Sequence, residues 1–410
     1  MIKIAILGYG VVGSGIMHVL KKNRSHIQKQ AGREISAKYV LDKRDFSQEL
    51  GGMYTNDFEV ILNDDEVQLI AEVMGGVDPA YDYVKRALLK GKHVCTSNKE
   101  LVIKHGAELL AIAEEKNINF MFEASVGGGI PVVRPINLAL TSDQIIAVSG
   151  ILNGTSNYML TQMYNFGKSY TEALKEAQDL GFAESDPTAD VGGFDACRKI
   201  AILLSLATGN QVDFEDIRTE GIQEIGQIDF AFARSFGFSI KPMVDGRITY
   251  NGVYALSAPM LVHHHHPISS VNGVFNGVMV QAKVTGNVMF YGQGAGKLPT
   301  AGAVVSDIVD IAKHLNRHII FIWSKEKTNI LPLDGFVARK LVRVSYDDIK
   351  KVKEAAKGAP TVELPEYPGQ VAWLTGPETE SETLFLGQNS GLKVERILRI
   401  YEPLETEFDD

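Results

Sequence analysis

Side chains able to do chemistry crowd into residues 181–199, GFAESDPTADVGGFDACRK. Glu184, Asp186, Asp190 and Asp195 are followed by Arg198 and Lys199, with Pro187 and Gly192-Gly193 between them. No regular element tolerates that punctuation in its interior, so the stretch is expected to be a loop. Directly after it, DACRKIAILLSLATG carries Ala196, Ile200, Ala201, Leu203, Leu204 and Ala207 with almost no polar face, and Gly209 marks a stop. This spacing predicts a buried helix. Asp195 near its N-cap and Lys199 four residues on share a face. A lone Asp-x-x-x-Lys is usually a solvated ion pair. Here further carboxylates reach the end of an apolar helix on a Pro/Gly-shaped loop, which suits a polar cleft. An ammonium in such a cleft can give a proton and meet developing negative charge.

The elements that must position this loop belong to a long chain. Its 410 residues suggest two or three domains, and 45% hydrophobic with 22% charged residues is a globular composition. A net charge of −9 without any dominant Lys/Arg run argues against a nucleic-acid or acidic-membrane partner. Cys95 and Cys197 are too few for a disulfide framework and read as small core fillers in a reducing compartment. No apolar run is long enough to span a bilayer, and MIKIAILGYG enters a strand instead of a signal peptide, so a cytoplasmic location is expected.

At the start, IKIAIL runs into Gly8-Tyr9-Gly10-Val11-Val12-Gly13 and then into SGIMHVLKKN, whose apolar spacing is helical. In this strand–turn–helix context Gly8 makes the tight turn, Gly10 admits a pyrophosphate to backbone amides, and Gly13 lets the helix close on the sheet. A dinucleotide-binding Rossmann-type unit is expected. The second strand, ISAKYVL, ends at Asp42, which suits a ribose 2′-hydroxyl and NAD, and at Lys43-Arg44, which suit a 2′-phosphate and NADP. QLIAEVMGG, VCTSNKEL and INFMFEAS read as further strands separated by helices, giving an open parallel sheet. Gly75-Gly76 and Ser97-Asn98-Lys99 fall at strand carboxyl ends, where such sheets hold ligands; Lys99 is read on a turn, either solvated or facing ligand. In EASVGGGIP the three glycines free carbonyls for a cation or ligand, or make a hinge. GILNGTSNYML is a strand, a loop and a helix, and KPMVDGRITY, VYALSAPMLV and GVMVQAKVT alternate as antiparallel strands, so the middle domain is α+β. His263 to His266, followed by Pro267, read as a polar loop, since no other ligand type stands at suitable spacing. GQGAGKLPT is a second glycine turn at a helix start, and the tail suggests a βαββ(α)β module.

Taken together, GYGVVG, EVMGGVDPA, VCTSNK, EASVGGGIP, GILNGTSNY, GFAESDPTADVGGFDACRK and GQGAGKLPTAGAVVSD resemble the homoserine dehydrogenase family from Ile2 to about Leu315. The resemblance implies reversible hydride transfer between NAD(P)H and L-aspartate 4-semialdehyde, giving L-homoserine for threonine, methionine and isoleucine biosynthesis. It implies Lys199 as acid/base, assisted by Lys99 and organised by Asp195. Glu184 and Asp190 match positions that hold the substrate, Gly154-Thr155 match the turn near it, and Gly296 belongs with the cofactor motifs. Glu123 with the carbonyls of Val126, Gly128 and Ile130 matches a sodium or potassium site. Phe182 stands where members often have tyrosine, so a hydroxyl contact is missing. Members often end in an ACT-type module with a glycine-containing ligand loop; KLVRVSYDDIKKVKEAA lacks that loop, which leaves threonine control open.

The expected architecture is α/β: residues 1–128 bind dinucleotide, completed by a helix near 297–315; residues 129–315 bind substrate, catalyse and dimerise; residues 316–410 form an ACT-like module. A homodimer or higher homo-oligomer is expected. Two other readings compete: a nucleotide-sensing regulatory protein with a vestigial site, and another Rossmann amino-acid dehydrogenase. Turnover of homoserine with NADP or NAD discriminates them.

Overall fold

A computed structural model describes residues 1–389 and 391–405. It divides into two compact units: Met1–Ser142, Ala201–Phe214 and Gly292–Thr328 form the first, and Asp143–Ile200, Glu215–Tyr291 and the chain from Asn329 onward form the second.

In the first unit, β1 (Ile2–Leu7) leads to α1 (Val11–Lys22), and β2 (Ile35–Leu41), β3 (Tyr54–Thr55), β4 (Val67–Glu72), β5 (His93–Thr96), α2 (Lys99–Glu115) and β6 (Phe120–Met121) follow. All six strands are parallel, in the order β3-β2-β1-β4-β5-β6. The order reverses between β1 and β4, which opens a crevice at the carboxyl ends. Register puts the chemistry there: Leu7 pairs with Leu41 and Glu72, and Glu72 with Thr96. Gly8, Asp42, Val73 and Ser97 therefore leave the sheet along one edge. The helix Lys297–Lys313 joins Ala301, Val304, Ile308 and Ile311 to the core of β1 and α1.

Three local readings change. Lys99 is the first residue of α2 and not part of a turn, because Asn98 Oδ1 accepts the Leu101 amide at 3.1 Å and caps the helix. INFMFEAS contracts to a two-residue strand followed by a 3₁₀ turn at Glu123–Ser125. Asp57 caps a short helix, Phe58–Leu62, in a stretch assigned no element from the sequence.

The second unit contains β7 (Ile145–Ile151), α3 (Gly154–Phe166), the start of α4 (Phe194–Thr208), β8 (Arg218–Thr219), β9 (Phe238–Thr249), β10 (Gly252–His263), β11 (Phe275–Ala282) and most of β12 (Gly286–Gln293). The sheet order is β12-β11-β7-β9-β10-β8. β9 and β10 pair antiparallel from Phe238↔His263 to Thr249↔Gly252. β12 was not assigned from the sequence, since GNVMFYGQ does not alternate cleanly and its apolar run is only residues 288–291. The loop expected over residues 181–199 ends at Gly193, where α4 takes over from Phe194, and it holds a single helical turn, Thr188–Val191. His263 closes β10 and residues 264–266 form the turn after it, where His266 Nδ1 accepts the Ile268 amide.

The unit ends in β13 (Lys340–Ser345), α5 (Ile349–Ala355), β14 (Thr361–Glu363), β15 (Gln370–Leu374), α6 (Glu380–Asn389) and β16 (Lys393–Arg399). These strands make an antiparallel sheet in the order β14-β15-β13-β16, a βαββαβ module of ACT-like shape. One face packs Val342, Val344, Val371 and Trp373 against Val352 of α5. Leu341, Ala372 and Leu398 of the same sheet join a core with Phe230 and Phe232. Among the described residues, no helix is long and apolar enough to cross a membrane.

Candidate active site

Asn153 ends the loop after β7 and is only 4% exposed. Its Oδ1 accepts the Ser156 amide at 2.8 Å and the Ser156 hydroxyl at 2.9 Å, capping α3. Its Nδ2 donates to Asp190 Oδ1 at 2.7 Å and to Asp195 Oδ2 at 3.0 Å. One neutral amide thus separates two carboxylates that would otherwise repel. Asp195 Oδ2 lies 2.7 Å from Lys199 Nζ, with side chains 9% and 12% exposed, and the ammonium also donates to the Leu152 carbonyl at 2.9 Å. Burial pushes the Asp190 carboxyl up; the Asn153 bond opposes this, the Asp195 charge adds to it, and Lys199 pulls it back.

Thr155 Oγ1 donates to the Phe182 carbonyl at 2.7 Å, which ties Gly154-Thr155 at the start of α3 to the acidic loop. The exposed Phe182 ring meets Tyr158 edge-on at 5.1 Å. Glu184 is exposed, and its carbonyl accepts Gln178 Nε2. Asp186 does not join the cluster: its Oδ1 accepts the Thr188 amide at 3.1 Å and hydroxyl at 2.6 Å, holding the helical turn.

In the first unit the glycine turn is shaped for a nucleotide. A Cβ on Gly8, at φ +102°, would stand 2.9 Å from the Val73 carbonyl, and one on Gly13 1.9 Å from the Gly8 carbonyl, whereas Gly10 has open space around it. No side chain caps α1, whose first residues are Val11, Val12 and Gly13. Open space over an uncapped helix N-terminus fits a pyrophosphate. Asp42 is buried and accepts the Tyr9 amide at 2.7 Å, the Arg44 amide at 2.9 Å, and Arg44 Nε and Nη2 at 3.0 Å each. Arg44 holds the carboxyl at about 2 against the effect of burial. The Arg44 side chain itself is 57% exposed, beside an exposed Lys43.

Sequence reasoning passed over Glu72, which is fully buried at the end of β4. It accepts the Met74 amide at 2.7 Å and the Thr96 hydroxyl at 2.5 Å. Burial pushes its carboxyl up, against those bonds. Thr96 Oγ1 accepts the Asn98 amide, and Asn98 Nδ2 donates to the Gly76 carbonyl, so one network joins Gly75-Gly76 to Ser97-Asn98-Lys99. A carboxylate closing an apolar strand before a double glycine was the signal available. Lys99, half-buried, opens α2 in this unit; Lys199 belongs to the other.

Glu123 is buried, with Oε1 accepting the Val132 and Val133 amides at 2.6 and 2.9 Å and Oε2 the Arg134 amide at 2.8 Å. Val126, Gly128 and Ile130 are buried in the same loop. Asp307, paired to Arg134 and accepting the Glu123 amide, is pushed up to about 7 by burial, with Glu123 adding and Arg134 opposing.

A doubly wound nucleotide sheet in one unit and a lysine–carboxylate centre in the other define a nicotinamide-dependent oxidoreductase. Residues 8–123 match the family model described as homoserine dehydrogenase, NAD binding domain, and residues 131–309 the one described as homoserine dehydrogenase. The homoserine dehydrogenase of Bacillus subtilis (strain 168) is 38% identical over 355 residues, 85% of this chain and 82% of the relative. That of Pseudomonas aeruginosa is 39% identical over 358 residues, with the same coverage of 85% and 82%. The crystal structure of a homoserine dehydrogenase from Thiobacillus denitrificans superposes with a TM-score of 0.89 at 32% identity, covering 98% of each chain. The chain belongs to the homoserine dehydrogenase family. Neither a vestigial sensor nor another amino-acid dehydrogenase is favoured.

Proposed function

We propose that Lys199 is the acid/base of a reversible hydride transfer between L-homoserine and L-aspartate 4-semialdehyde. The observation that carries this is the buried set of Lys199, Asp195 and Asn153, with Lys199 Nζ at 2.7 Å from Asp195 and 2.9 Å from the Leu152 carbonyl. An ammonium has three donors, so two fix its position and one serves the substrate oxygen. In the reducing direction Lys199 gives its proton to the aldehyde oxygen as negative charge builds there; in the oxidising direction it takes the hydroxyl proton. Asp195 steadies the ammonium, and Glu184 and Asp190 receive the amino group of the substrate, near Gly154, Thr155 and the Phe182 ring. Lys99 assists as a second cation. Bound nicotinamide supplies or accepts the hydride.

The cofactor is held by Gly8, Gly10, the amides of Val11, Val12 and Gly13, Gly75, Gly76, Ser97, Asn98 and Gly296. We read it as NADP in preference to NAD: Arg44 engages both Asp42 oxygens, so the acceptor a 2′-hydroxyl needs is occupied while two cations stand beside it. A sodium or potassium ion held by Glu123 and the carbonyls of Val126, Gly128 and Ile130 is part of the proposal. The shared buried loop supports it, with the carbonyls supplying most ligands because Glu123 already accepts three amides. A cytoplasmic homodimer or higher homo-oligomer acting on a small molecule completes the reading.

The test is to mix protein, homoserine and either nucleotide and follow reduced nicotinamide. Lys199→Met keeps the apolar stem and is expected to lower kcat by at least about 10³-fold with nucleotide binding unchanged. Parent-level turnover in that variant would remove Lys199 from the mechanism.

A further inference from the structure

Arg399, the last residue of β16, is 7% exposed and meets two carboxylates at once. Its Nη1 and Nη2 donate to Glu220 Oε2 and Oε1 at 2.9 and 3.0 Å; its Nε and Nη2 donate to Glu380 Oε1 and Oε2 at 2.8 and 3.1 Å. Glu380 opens α6, and buried Lys340 of β13 places its ammonium 3.9 Å from Glu380 Oε1. Glu380, Arg399 and Lys340 all belong to the C-terminal module, whereas Glu220 follows β8.

From Glu220 the contacts run to the start of α4. The Glu220 amide donates to the Ser257 carbonyl at 2.8 Å, and the Ile222 amide to the Val191 carbonyl at 2.9 Å. Ser257 Oγ donates to the Gly193 carbonyl at 3.1 Å, and that carbonyl also accepts the Cys197 amide at 2.9 Å in the first turn of α4. Gly193 sits at φ +81°, and a Cβ there would stand 3.0 Å from Ser257 Oγ, so this turn has little room to shift. Asp195 lies in that first turn, and Lys199 stands one turn on.

We infer that Glu220, Arg399 and Glu380 form a clamp through which the C-terminal module positions Lys199. Buried ion triads contribute little net stability, while the planar guanidinium fork fixes geometry in two directions. Breaking the fork leaves the Glu220 carboxylate with only the exposed Arg218, whose Nε donates to Oε1 at 3.2 Å, and so loosens, through Ser257 and Gly193, the entry of the catalytic helix. The clamp rests on the reading of Lys199 as acid/base, and Arg399 is a positioning residue.

Arg399→Met in the full chain is expected to lower kcat about tenfold at saturating homoserine and nucleotide, with the nucleotide KM within about twofold of the parent. Arg399→Lys, which keeps one charge contact, should recover part of the loss. Glu220→Gln, which keeps an acceptor for Arg399, serves the same readout should Arg399→Met fail to fold. A lowered melting temperature with parent-level kcat per folded molecule, beside an inactive Lys199→Met, overturns the clamp alone. An active Lys199→Met overturns the acid/base reading and the clamp with it.

Discussion

Asn153→Asp isolates the amide that bridges the two acids. Aspartate caps a helix as well as asparagine does, so the bond to the Ser156 amide survives. What disappears is the Nδ2 donor to Asp190 and Asp195 at 2.7 and 3.0 Å. Hydrogen bonds to charged groups are worth about 1.5–3 kcal/mol each, so an ionised replacement costs about 3–6 kcal/mol before repulsion is counted. The other course is for the introduced carboxyl to take a proton and donate to one acid. That costs one bond plus about 4 kcal/mol at pH 7, from roughly three pH units above its ordinary value, but only about 1.5 kcal/mol at pH 5. The group binds its proton more tightly folded than unfolded, so the variant recovers stability as pH falls toward the unfolded value and loses it as pH rises. Urea unfolding of parent and variant from pH 5 to 8 should give a destabilisation of about 5 kcal/mol at pH 7, smaller by about 1–3 kcal/mol at pH 5. Asn153→Ala, which adds no titrating group, should show less slope. A destabilisation of Asn153→Asp below about 1 kcal/mol and flat with pH would refute the bridging role.

Two further outcomes follow from the first unit. Arg44→Ala should raise the KM for NADP about tenfold or more while improving use of NAD, because it removes a cation and releases Asp42 to accept a 2′-hydroxyl; equal losses with both nucleotides in initial-rate assays would contradict this. Asp307, with its folded value raised to about 7, contributes stability that is full below about pH 4 and lost as pH rises to 7, an effect of up to about 4 kcal/mol. Asp307→Asn should therefore be most destabilised relative to the parent at pH 4–5 and less so at pH 7–8; a pH-independent difference in urea unfolding would count against the assignment.

The legible parts of this fold are those whose physics is local. GYGVVG between an apolar run and a helical pattern names its own turn, and the end of each buried strand marks where ligand-facing residues emerge. Asn98 before Leu101, Val102 and Ile103 carried an equally local signal for a helix start, and reading Lys99 on a turn overlooked it. The βαββαβ order of the tail was visible because each segment has its own period.

The Asp195–Lys199 pair shows in its i,i+4 spacing, but the long-range pairings that complete the site were not visible. Asn153 finds its acids 37 and 42 residues away, and Arg399 finds Glu220 at a separation of 179. In sequence, Asp186 and Asp190 are alike; in space one accepts the Thr188 amide and hydroxyl, and the other is raised by burial beside Asn153. Burial separates these fates, because a carboxylate in water needs no particular partner while one in the interior must be met by a donor. The acids that the loop delivers become a site because Asn153 supplies that donor from another element, and the same demand, made by Glu220 and Glu380, draws Arg399 out of the C-terminal module.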